Sequence, residues 1–109
     1  MAGTFDNFIN AVVEGAKDLA KEIFDGFANQ AQEDAKAFLK KTEADLERWT
    51  QLLADKKLTE QDFGDLVQAK KALAEIHALT QAGIALTKLE RFRRGLIDLV
   101  IEKAFEVFL

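Results

Sequence analysis

The sequence predicts an all-α fold: a long antiparallel helical hairpin, with its turn near residues 55–59, that dimerises into a four-helix bundle. Three observations point there. Ala, Leu, Lys and Glu are the commonest residues, all good helix formers, and the chain has no proline to break them. Apolar residues recur in steps of three and four through both halves, the spacing of a single helical face. The clearest punctuation, "DKKLTEQDF" at residues 55–63, falls near the middle of the 109 residues.

The first arm carries Phe5, Phe8, Ile9, Val12, Val13, Ala16, Leu19, Ala20, Ile23, Phe24 and Phe27, then Ala31, Ala35, Phe38, Leu39, Thr42, Leu46, Trp49 and Leu53. This stripe holds its phase past Gly26, so one helix over residues 4–55 is the simplest expectation. The alternative is a break near Gly26, with Asn29 as a new N-cap. Residues 56–59 form the turn. Thr59 then suits an N-cap, Asp62 sits at the third helical position, and Leu58 and Phe63 occupy the two places of a hydrophobic staple. A second helix follows from Glu60 to the end through Leu66, Leu73, Ile76, Leu79, Ile84, Leu86, Leu89, Leu96, Val100 and Phe105. Gly83 and Gly95 are its weak points, at about 1 kcal/mol each. Residues 1–109 thus read as a single helical domain, each arm about 75 Å long.

Charge supplies a register. If the arms face one another across a turn centred near Lys57, facing residue numbers sum to about 114. Lys17 then lies near Asp98, Glu22 near Arg91 and Arg93, Asp25 near Lys88, Lys40 and Lys41 near Glu75, Glu43 and Asp45 near Lys70 and Lys71, and Arg48 near Asp65. Nearly every pair is of opposite sign, which speaks to register more than to stability.

The apolar surface exceeds what a two-helix seam uses. The stretch "ALAEIHALTQAGIALT" at residues 72–87 is apolar nearly all round, with only Glu75, His77 and Gln81 strongly polar, and "LIDLVIEKAFEVFL" at residues 96–109 has only Asp98, Glu102, Lys103 and Glu106 as polar residues. Left in water, this surface would far exceed the patch that a monomer tolerates. Association therefore leads the expectations. The candidate interaction residues are Leu96, Ile97, Val100, Ile101, Phe105 and Phe108 on one arm and Phe5, Phe8 and Val12 on the other. The partner is the chain itself, as a homodimer, or another helical protein. The structural alternative is a monomeric three- or four-helix bundle broken near Gly26 and Gly83. The functional alternative is an amphipathic protein that coats a lipid surface or a granule.

Site chemistry is sparse. There is no cysteine, no serine and one histidine, His77, so no Ser–His–Asp arrangement exists and no cofactor or metal fingerprint appears. Glu75 would lie on a different helical face from His77. The basic cluster "KLERFRR" (Lys88, Arg91, Arg93, Arg94 around Phe92) faces Asp18, Glu22 and Asp25 in the hairpin register. The formal net charge of −4 argues against nucleic acid as partner. The longest uncharged run is too short to span a bilayer, and no basic n-region marks a signal peptide. The expectation is a non-enzymatic, cytoplasmic interaction protein without a cofactor.

Overall fold

Both arms are helical, but each is bent, and the hairpin folds over on itself. A computed structural model describes residues 2–109, with side chains from Thr4 onward. Six α-helices follow in order: α1 Ala2–Phe24, α2 Ala28–Lys41, α3 Glu43–Ala54, α4 Glu60–Gln68, α5 His77–Gln81 and α6 Leu86–Phe108. A 3-10 turn, Lys71–Leu73, links α4 to α5. The molecule measures 42 × 25 × 21 Å, well short of two unbroken arms. The expected helices over residues 4–55 and 60–109 are therefore each divided, with breaks near Gly26 and Gly83, where the alternative reading put them.

The first break has a backbone cause. Asp25 and Phe27 both adopt left-handed conformations, φ 56° and 61°, on either side of Gly26. Phe27, not Asn29, is the N-cap of α2, and it makes no side-chain cap bond. Left-handed backbone costs about 1–2 kcal/mol per non-glycine residue. Packing offsets this cost. Phe24 is buried against Phe92, ring centroids 5.7 Å apart, and meets Phe27 edge-on at 6.4 Å. The bend also lays α1 along α2, burying Ala31 and Ala35.

A second, milder bend lies at Thr42. Its hydroxyl donates to the Phe38 carbonyl at 2.9 Å, the back-bonding that bends helices. The ladder otherwise continues, with Leu46 N–H reaching the Thr42 carbonyl at 2.8 Å. α3 ends in a Schellman motif: Lys57 N–H donates to Leu52 and Lys56 N–H to Leu53, with Lys56 left-handed at φ 60°. The Thr59 cap forms as expected, its hydroxyl accepting from Asp62 N–H at 3.0 Å, and α4 starts at Glu60.

The second arm departs most from expectation between residues 69 and 85. Ile76 turns left-handed at φ 46°, and Gly83 sits at φ 78°, where glycine is the residue that fits without strain. These turns let an all-round apolar segment bury Ala74, Ile76 and Leu79. Burying a large aliphatic side chain is worth about 1.5–3 kcal/mol, enough to outweigh the strain at Ile76. Gly95, the other expected weak point, does not interrupt α6. A Cβ there would lie 2.8 Å from a Leu19 methyl carbon, so this glycine lets α1 approach.

The hairpin register survives within each pair of helices. α1 and α6 run antiparallel, with Phe8 against Phe108, Leu99 against Gly15 and Leu19 against Gly95. α2 meets α5, and α3 meets α4. Of the expected charge pairs, Lys41–Glu75 and Asp45–Lys70 form. Arg48 turns instead to Asp45 on its own helix. The added contacts, α1 on α2 and both α3 and α4 on α6, come from the fold-over.

Candidate interaction groove

The nine residues expected to bind a partner lie largely inside the chain. Phe8, Val12, Leu96, Ile97 and Val100 are fully buried. Phe5, Ile101, Phe105 and Phe108 are half-buried against the same core; Phe105 packs on Phe63 of α4 at 5.9 Å. The fold-over thus covers with its own α2–α5 much of the surface for which a second copy was expected.

What stays open is a groove of about 690 Å³ between the start of α1 and the outer face of α3, closed at one side by Phe108 of α6. α1 packs mainly on α6 and α2, and α3 on α6 and α4, so the two helices straddle the end of α6. From α3 come Glu43, Glu47, Thr50, Gln51 and Ala54, spaced as one helical face. From α1 come Thr4, Phe5, Asp6 and Ile9. Half-buried Phe5, Ile9 and Phe108 supply the apolar surface. Among the described residues, every charged group lining the groove (Asp6, Glu43, Glu47) is a carboxylate. Thr50 is satisfied by donating to the Glu47 carbonyl at 3.2 Å, and Gln51 by the Asp55 carboxylate at 3.2 Å. The apolar residues and the acidic rim carry the unspent binding capacity.

A second cluster joins α2 to α5. Asp34, only 5% exposed, accepts from the N–H groups of Ala78 and Leu79, both at 2.9 Å. It caps α5 from 44 residues away along the chain. Beside it, Glu75 accepts from Lys41 and lies 2.8 Å from His77 Nε2. The Lys41 ammonium, and after it His77, holds the Glu75 carboxyl below its ordinary value. His77 and Glu75 meet because the backbone at residues 74–76 is not helical, which removes the separation that continuous helix would impose. The neighbouring hollow of about 180 Å³ contains no hydroxyl or thiol for this pair to activate. Among the described residues, no three or more His, Cys, Asp or Glu side chains are placed to hold a metal ion.

Two further surfaces differ from expectation. In "KLERFRR", the Arg93 guanidinium donates to the Ala74 carbonyl at 2.7 Å and pairs with Glu90. Lys88, Arg91 and Arg94 remain exposed, and the expected pairs with Glu22 and Asp25 do not form among the described residues. Along α1 and α6 runs a shallow groove of about 380 Å³ lined by Asp18, Glu22, Asp98, Glu102 and Lys103, with Leu19 and Leu99 between them. The sequence held a signal for this surface: "GAKDLAKE" and "GLIDLVIE" share Gly-x-x-Asp-Leu-x-x-Glu. An antiparallel pair of such segments places each leucine on the other's glycine.

Fold and groove together define the class: an all-α chain with an open, acid-rimmed cleft between helices. No protein-family model, curated protein or solved structure matches the chain. No helix among the described residues is long and apolar enough to cross a membrane.

Proposed function

We propose that the chain is a non-enzymatic protein–protein interaction module, and that the α1–α3 groove receives a cationic amphipathic helix of its partner. The observation that carries this reading is the pairing of half-buried Phe5, Ile9 and Phe108 with the carboxylates of Asp6, Glu43 and Glu47. Helix-in-groove recognition sets apolar anchors against such a surface, and the carboxylates select a partner with lysine or arginine beside the anchors. α3, at 12 residues, is about 18 Å long and matches a partner helix of three to four turns. The lipid-surface alternative would have to draw on apolar residues that the fold keeps inside.

The test uses amphipathic peptides of one apolar pattern, flanked by Lys, Gln or Glu, titrated calorimetrically into the full chain. The Lys peptide binds, and Glu43→Lys with Glu47→Lys weakens it about tenfold. Glu60→Lys with Asp62→Lys, outside the groove, leaves it unchanged. Equal binding of all three peptides, equal effects of the two charge reversals, or no binding at all would each overturn the reading.

A further inference from the structure

We infer that the hairpin opens at its two bends and exchanges halves with a second copy, giving a domain-swapped dimer. Four observations carry this. First, one antiparallel ladder runs the length of the chain in spite of the bend: Phe8–Phe108, Gly15–Leu99 and Phe24–Phe92 in the outer half, then Asp34–Leu79, Lys41–Glu75 and Asp45–Lys70 in the inner half. The two halves are joined only at Asp25–Phe27 on one arm and Ala82–Ala85 on the other. In the register of the ladder Asp25–Phe27 faces residues 87–89, just past the Ala82–Ala85 link, so the two arms bend about one turn apart.

Second, the bends hold the strain. Asp25 and Phe27 are left-handed without being glycine. A straight α-helix through them would relieve both residues and add backbone hydrogen bonds. In the closed chain the space around Gly26 is open, with no heavy atom within 4 Å of where a Cβ would stand.

Third, the apolar stripe keeps its phase through the bend. Ile23, Phe24, Phe27 and Ala31 follow steps of one, three and four, so straightening leaves them on one face.

Fourth, the contacts that hold the bend closed, α1 on α2 and both α3 and α4 on α6, join one half to the other. Opening uncovers these surfaces, and a second opened copy presents their complements around a twofold axis. No new interface is needed: each chain's outer half packs on the other's inner half through the contacts described above. Short, strained hinges are where such exchange begins.

Engineered disulfides in the full chain distinguish the swap from surface association. The pair Gly64→Cys/Ile101→Cys spans the two halves, where a Cβ on residue 64 lies 3.9 Å from the Ile101 side chain. The pair Gly15→Cys/Leu99→Cys lies within the outer half. After concentration and size exclusion, light scattering identifies monomer and dimer, and each is oxidised separately. In the dimer the 64–101 bond joins two chains and the 15–99 bond stays within one; in the monomer both are internal. Gly83→Ala with Gly26→Ala raises the dimer fraction about tenfold, the first by penalising the bend at its positive φ and the second by favouring the straight helix; Asp25→Gly lowers it by a similar factor by relieving the bend. A dimer whose 64–101 bond stays internal overturns the inference. So does a chain that remains monomeric at every concentration with both alanine substitutions. Should a cysteine pair prevent folding, the hinge series decides alone: dimer fractions that do not change in these directions overturn the exchange.

Discussion

Replacing Asp34 with alanine tests the most specific long-range contact in the fold. The carboxylate is almost wholly buried, and its two oxygens each accept one backbone N–H, from Ala78 and Leu79 at 2.9 Å. Those two groups are orphan donors of α5's first turn, and the left-handed Ile76 before them offers no side-chain cap. A hydrogen bond to a charged group contributes about 1.5–3 kcal/mol, and a buried donor left unpaired costs about 1–3 kcal/mol. Loss of a cap alone costs about 0.5–2 kcal/mol. The overlap of these ranges, with water reaching the Ala78 side of the site, puts Asp34→Ala at about 2–3 kcal/mol. For a domain of this size that is a fall in melting temperature of about 10–20 °C. Asp34→Asn keeps one acceptor and falls between the two. The assay is urea and thermal denaturation followed by circular dichroism, with amide hydrogen exchange read at Ala78 and Leu79. Exchange at these two positions accelerates more than in α6, because the lost bonds belong to α5. A loss below about 0.5 kcal/mol with unchanged exchange at both amides would refute the assignment of Asp34 as the cap.

Three further outcomes follow from the same structure. Gly83→Ala destabilises the closed chain by about 1–2 kcal/mol through its positive φ alone, since its Cβ would meet nothing within 4 Å; a neutral urea midpoint would mean that the α5–α6 link adopts another backbone. The Glu75 carboxyl, held down first by the Lys41 hydrogen bond and then by His77, titrates below its ordinary value of 4.5. Its contribution is therefore fully present above that value and is lost as pH falls through the lowered one, so the gap in urea midpoint between the native chain and Lys41→Met closes under strong acid; a gap that persists there contradicts the pair. Deleting residues 96–109 removes the α6 partners of α1, including Leu96, Ile97, Val100 and Phe108, and abolishes folding; a truncated chain with native helicity by circular dichroism would place the core elsewhere.

Local chemistry made some of this legible in the sequence. Thr59 has only near neighbours to satisfy, so its cap and the start of α4 follow from "LTEQDF". The register follows from the stripe and the turn, and it holds in each helix pair. The bends near Gly26 and Gly83 were legible only as an alternative. Gly26 marks the right place, but the left-handed residues are Asp25 and Phe27, and neither type favours that conformation strongly enough to announce it. Glu75 and His77 are separated on a helix and joined on the chain as folded, so their contact depends on a break that only tertiary burial of Ile76 and Leu79 makes worthwhile. The same applies to the groove. Phe5, Ile9 and Phe108 read as ordinary stripe residues, and only the bend at Thr42, with α3 set on α6 and α4, leaves them partly uncovered. How far the chain's own α2–α5 cover the apolar surface read from the sequence depends on where the arms bend.

The crossed contacts of Leu19 on Gly95 and Leu99 on Gly15 act as a pair of detents between α1 and α6. Each leucine is a tooth and each glycine a notch, and the two engage together in one alignment only. Sliding either helix by a turn in one sense drives Leu19 onto Leu99, tooth against tooth. In the other sense Leu19 leaves its notch for Arg91. Only two of the expected cross-arm charge pairs form, both away from α1 and α6, so the alignment of the two longest helices is held by shape. An alignment set this way does not loosen as salt rises.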